Sequence, residues 1–273
     1  MRSLVPITLL LSCAISAVAA SKPIAKMQLP CPAYYQTPSP DGTQLVVSCR
    51  DMSMVVLGVP EGRTLRTILA AQKPNASAYS LDGKWLAIGY GDGSVEVTST
   101  RGAAPAQRWQ GGPRRIDLLS FLPDGKLLVI AGGDTAVRFY DTATWQKTHE
   151  NRDFLLESFA LQFTPDGKQV LVGGADARIT VLDAATAKQV KQLPADGGSY
   201  IVGLALLGDQ RSAATVYLDD AGHKPPHAVV WDLASGKSST LGDGVVPTCG
   251  EKVAGKLWMC SADGKTLTVS QYD

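Results

Sequence analysis

The residues best suited to chemistry in this sequence of 273 residues are gathered in Asp219-Asp220-Ala221-Gly222-His223-Lys224-Pro225-Pro226-His227. Two imidazoles and two carboxylates so close together have the donor types that zinc or copper accepts. The segment is rich in Pro, however, and has no helix to hold both His on one face, so it reads as a solvated loop and no metal is expected. Single Asp residues recur in Asp-Gly turns. One carboxylate per turn does not build the cage of about 6 to 8 oxygens that calcium needs, so these are turn formers. Trp85, Trp231 and Trp258 fall within strand-like runs and read as core. There is no Gly-x-Ser-x-Gly elbow, phosphate loop, Cys-x-x-Cys or dinucleotide-binding glycine run. No catalytic residue and no cofactor is expected, and the chain reads as a protein that is not an enzyme.

The elements carrying these residues follow from a repeat. Ser39-Pro40-Asp41-Gly42, Leu81-Asp82-Gly83-Lys84, Pro123-Asp124-Gly125-Lys126 and Pro165-Asp166-Gly167-Lys168 place their Asp residues 41, 42 and 42 apart. Degenerate copies stand at Leu207-Gly208-Asp209-Gln210 and Val253-Ala254-Gly255-Lys256. A short apolar run follows each turn and ends near a second Asp, at Asp51, Asp92, Asp134, Asp176, Asp220 and Asp263. Alternating segments such as Val137 to Asp141, Ile179 to Asp183 and Val229 to Asp232 come next, and a further short run closes each unit. Apolar runs bounded by Asp-Gly, Pro and Gly are strands. Four strands in a unit of about 42 residues make one blade of a β-propeller.

The Pro-Asp-Gly-Lys turns, the second-turn Asp and the closing Phe139-Tyr140-Asp141, Val181-Leu182-Asp183 and Trp231-Asp232 resemble those of the WD-repeat β-propeller family, in a generic bacterial form. The Gly-His dipeptide that precedes each blade in that family is missing, so its Asp-His-Ser-Trp network is not carried over. The predicted fold is all-β, a propeller of four-stranded antiparallel blades.

Residues 1–20, MRSLVPITLLLSCAISAVAA, have one cation, an apolar stretch and small residues before a cleavage point, as in a secretory signal peptide. Cys13 is a rival site for a lipid anchor, which the continuing apolar run disfavours. The remaining 253 residues, 21–273, form one domain and divide by the period into six blades, with seven as the alternative. The last unit has only three strands of its own, and Ile24 to Leu29 can supply its fourth, closing the ring and removing two sheet edges. Four cysteines remain in a chain bound for an oxidising compartment, periplasmic or secreted. Cys31 and Cys49 flank the turn near Pro40-Asp41, and Cys249 and Cys260 flank that at Ala254-Gly255, which favours those two pairings. Two other pairings stay open, each stapling the first blade to the sixth.

Lys+Arg 26 against Asp+Glu 25 excludes an all-round basic nucleic-acid binder, and no segment after the signal is long and apolar enough to span a membrane. Charge effects must then be local. The loops leading into each blade and the second turns share one face of a propeller. They offer Lys73, Arg108, Trp109, Arg114, Arg115, His149, Arg152, Phe154 and Tyr200, with Arg50, His223, Lys224 and His227 from the second turns. Arg and aromatic side chains are enriched at binding hot spots. The expected function is non-catalytic docking of a protein partner, as a scaffold or as an inhibitor or immunity protein. The alternatives are a lactonase-like or quinoprotein-dehydrogenase-like enzyme, or a propeller that binds a metal or small ligand at its channel mouth. An enzyme would need ionisable groups converging from several inner strands, and runs such as Ser158 to Phe163 and Ile201 to Leu206 are mainly apolar.

Overall fold

The computed structural model describes residues 22–70, 72–100, 107–194, 200–206, 212–218, 227–243, 250–253, 256–263 and 266–272. Residues 1–20 with Cys13, and Cys249, His223 and Lys224, lie outside these. In chain order, β1 (Lys22–Gln28) precedes a first sheet of β2 (Ala33–Pro38), β3 (Gln44–Cys49), β4 (Ser53–Gly58) and β5 (Thr64–Leu69). A second holds β6 (Pro74–Tyr79), β7 (Trp85–Tyr90), β8 (Ser94–Ser99) and β9 (Gln107–Gln110). The third is β10 (Ile116–Phe121), β11 (Leu127–Gly132), β12 (Val137–Asp141) and β13 (Lys147–Asn151). The fourth is β14 (Ser158–Phe163), β15 (Gln169–Gly174), β16 (Ile179–Asp183) and β17 (Gln189–Leu193). The fifth is β18 (Tyr200–Leu206), β19 (Ser212–Leu218), β20 (His227–Asp232) and β21 (Ser238–Asp243). In the sixth, β22 (Gly250–Val253), β23 (Lys256–Asp263) and β24 (Thr266–Tyr272) are joined by β1, which pairs antiparallel with β24 from Lys22↔Gln271 to Gln28↔Thr266. The described residues thus make six four-stranded antiparallel sheets, and the N-terminal strand completes the last one.

Local chemistry sets the strand boundaries. At the first turn Asp41 Oδ1 accepts the Thr43 N–H at 3.0 Å and the Ser39 hydroxyl at 2.6 Å, while Gly42 takes a left-handed φ of 70°. Asp82 and Asp166 repeat this arrangement with Ser80 and Thr164. At the second turn Asp51, Asp92 and Asp176 each accept the N–H two residues on. At the third, Asp141, Asp183 and Asp232 each hold a Thr or Ser hydroxyl three residues on. Such side-chain turns satisfy backbone N–H groups that would otherwise be left at a chain reversal.

Packing follows from which strands are buried on both sides. The second strands β3, β7, β11 and β15 are buried from their second residue to their last, so their two faces both meet protein. Core clusters lie between successive sheets. Val46 and Met54 pack with Leu86 and Ile88, Ala87 and Val97 with Ile116 and Ile130, Val129 and Phe139 with Val170 and Leu182, and Leu171 and Ile179 with Ile201 and Trp231. Sheets stacked face to face in succession are the arrangement of propeller blades. Each fully buried aliphatic side chain contributes about 1.5–3 kcal/mol.

Trp231 is buried in this core, as expected, Trp85 is half-buried and packs against it, and Trp258 lies on β23. The expected Cys31–Cys49 disulfide is present with Cα atoms 5.7 Å apart, and Leu29 packs beside it. In place of the missing His network, buried Arg138 on β12 binds second-turn Asp134 through both guanidinium nitrogens and approaches Glu150, its cross-strand neighbour, at 3.4 Å. The second sheet carries the same cross-strand pair with its charges exchanged, Glu96 opposite Arg108.

Candidate functional site

A bulge recurs at one place in the first strand of five sheets. Pairing with the second strand shifts between Ala33/Tyr35, Pro74/Ala76, Ile116/Leu118, Ser158/Ala160 and Ile201/Gly203. The residues left over are Tyr34, Asn75, Asp117, Phe159 and Val202. A bulge leaves its extra residue out of the ladder and re-aims the side chain. These first strands also pack on one another in succession, β2 on β6, β6 on β10, β10 on β14 and β14 on β18. The bulges therefore form a rim at the loop-bearing end of the inner strands.

Side chains tie the rim together across three sheets. Asn75 Nδ2 donates to Asp117 Oδ1 at 3.2 Å. Arg115 donates through Nε to Asp117 Oδ2 at 2.7 Å and through Nη2 to Glu157 Oε2 at 2.5 Å. The exposures of these side chains, 42% for Arg115, 24% for Asp117 and 31% for Glu157, leave all three open to a ligand from solvent. Burial raises the Asp117 carboxyl above its ordinary value despite the opposing charge of Arg115. Beyond Glu157 the rim becomes aromatic, with Phe159 edge-on to Tyr200 at 6.1 Å between ring centroids.

Two glycines allow this geometry. A Cβ on Gly132 would stand 2.1 Å from the Arg115 carbonyl oxygen, and one on Gly174 would stand 2.2 Å from that of Glu157. Only glycine lets the backbone carrying each charged residue approach the neighbouring strand so closely.

The residues expected on the binding face are divided by the structure. Arg114, Arg115, Arg152 and Phe154 lie on the loops leading into the third and fourth sheets, and Tyr200 begins β18. Arg50 and Lys73 are exposed at the same end. Arg108 and Trp109 instead belong to outer strand β9. There Arg108 donates to the Ser94 hydroxyl at 3.0 Å and lies over the Tyr90 ring, and Trp109 stacks on Trp145 and packs against Tyr140. His149 lies on β13, stacked on Phe139 with Nε2 3.0 Å from the Ala184 carbonyl oxygen. His227 begins β20.

Two of the cations expected on this face are held in ion pairs. Arg115 is paired with Asp117 and Glu157, and Arg152 with Glu150 at 2.9 Å. The expectation that ionisable groups do not converge at the inner strands is corrected by Arg115, Asp117 and Glu157, which meet on the rim. Asn75, Asp117 and Phe159 stand 42 apart in sequence, as do Arg115 and Glu157. Alignment of the repeats at that spacing is the signal that finds them.

Large apolar side chains are exposed at this end and also on the outer strands, where Leu65 of β5 is 42% and Val190 of β17 is 56% exposed. Leu155 is 90% exposed and Leu156 49%, both on the loop that Arg115 ties through Glu157. Met52 is exposed at the second turn of the first sheet and Leu69 at the end of β5, whereas Leu81 is the large exposed apolar residue of the Asp-Gly turns among the described residues. Among those residues no group of three or more His, Cys, Asp and Glu could hold a metal ion, and no helix is long and apolar enough to cross a membrane.

No family model matches this chain, and no curated protein does. A solved structure of hydrazine synthase from Kuenenia stuttgartiensis is similar, with a TM-score of 0.71 and 19% identity, over 85% of this chain and 74% of that one. A likeness at that identity concerns the fold, and it supports the propeller.

Proposed function

We propose that this chain is a non-catalytic, exported propeller that docks a protein partner on its loop-bearing face. The observation that carries the reading is the Leu155-Leu156 pair, exposed on the loop into the fourth sheet between Arg152 and Glu157, the latter bound by Arg115. Exposed leucines cost free energy in a solitary protein and gain it when a partner covers them. The anchoring of their loop by the Arg115–Glu157 ion pair lowers the ordering cost on docking. The signal-like N-terminus and the Cys31–Cys49 disulfide support export to an oxidising compartment.

The test is quantitative recovery of partner from envelope extract by three purified forms: wild type, Leu155→Asp/Leu156→Asp, and Leu81→Asp on the opposite face. Wild type and the Leu81 variant should recover the same protein equally, and the double variant about tenfold less or worse. Equal recovery by all three removes this face from consideration.

A second reading, an enzyme acting at the channel mouth, is favoured by the convergence of Asp117, Glu157 and Arg115. Against it, Arg115 already engages both carboxylates.

A further inference from the structure

We propose that the rim formed by Asn75, Arg115, Asp117, Glu157, Phe159 and Tyr200 is a binding site for a neutral saccharide. Backbone geometry is held constant around the rim while the chemistry changes. The same bulge in successive sheets presents an amide, a carboxylate and an aromatic ring at Asn75, Asp117 and Phe159.

The ligand class follows from the two arcs. The polar arc is planar groups with spare capacity: Asp117 Oδ2 and Glu157 Oε2 can each accept more than the single hydrogen bond from Arg115, Asp117 Oδ1 more than the one from Asn75, and Asn75 Oδ1 is buried without a donor. Vicinal hydroxyls, directly or through a bridging water, both donate and accept at the spacing such groups offer. The aromatic arc supplies an apolar surface for the C–H faces of a sugar ring. Charge selects against the alternatives. A cation meets Arg115, an anion meets Asp117 and Glu157, and a neutral polyol meets hydrogen-bonding groups that already balance one another to within a single charge. This site shares the Arg115–Glu157 pair with the protein-docking reading and does not use Leu155 or Leu156, so variants at those leucines and at Asp117 or Phe159 separate the two.

The test is calorimetric titration of the intact protein with chitotetraose, maltotetraose and cellotetraose, alongside a lysine-rich peptide. Saturable binding of at least one oligosaccharide is expected, weakened about tenfold or more by Asp117→Ala and by Phe159→Leu, which keeps bulk and removes the ring. Leu155→Asp should leave it unchanged, so that loss of partner docking and loss of sugar binding are told apart. Thermal melts of each variant establish that it is folded, and Asp117→Asn serves where the Ala variant is not. The proposal is overturned if no oligosaccharide binds up to about 10 mM, if the peptide alone binds, or if folded rim variants bind as wild type does.

Discussion

Asp117 carries opposed influences. Burial pushes its carboxyl up and Arg115 pulls it down, and burial prevails. In the range between the ordinary carboxylate value and the raised one, the native state holds more protons than the unfolded chain. Asp117 therefore costs stability progressively as pH rises through that range, and the full cost persists at neutral pH. Asp117→Asn should gain on wild type from about pH 4 upward and level off once the wild-type carboxylate is ionised, as read from urea midpoints over a pH series. A difference independent of pH would mean that burial does not govern this group. The sequence points to Arg115 and Tyr200 through their residue types. Asp117 and Asn75 escape notice because a bulge breaks strand alternation by one residue, so that only the 42-residue spacing of the repeats picks them out.

The turns act in the opposite sense. The carboxyl of Asp82 is brought down to about 2 by hydrogen bonding with Lys84 and then the Ser80 hydroxyl, and those of Asp141, Asp183 and Asp232 are lowered chiefly by the hydroxyls of Thr144, Thr186 and Ser235. Their contribution is present above the ordinary carboxylate range and is lost as pH falls through it toward the lowered values. Asp82→Ala should cost on the order of 1 kcal/mol at pH 7, less whatever solvent screening removes from so exposed a group. The deficit should shrink between about pH 4 and pH 2, measured by urea unfolding. Turns of this kind are legible in sequence because each needs a particular short motif. Trp145 is not legible in that way: it takes a φ of 57° at a place filled by Ala187 and Gly236 in the next two sheets. Its ring stacks on Trp109 and meets Trp85 edge-on, contacts that oppose the cost of the backbone conformation.

At the scale of the molecule, the joint between the chain's two ends matters most. β1 completes the sixth sheet, and within a few residues the chain enters the core of the first, where Leu29 and the Cys31–Cys49 bridge are buried. The period and the incomplete last unit made this closure readable from sequence, since an unpaired fourth strand has few other places to go. Replacing both Cys31 and Cys49 by Ala, with the bridge spanning 18 residues, should destabilise by about 3 kcal/mol, seen as a lower urea midpoint that is indifferent to reductant. An unchanged midpoint would show that the joint is held by strand pairing and packing alone.

That joint also imposes an order of events on a growing chain. β1 is synthesised before every other described strand, yet its partner β24 is the last of them to be made. Until that last strand is in place its hydrogen-bonding edge has no native neighbour, while the sheets between can form from local hairpins. Ring closure is then the contact of longest sequence separation and the slowest to be reached.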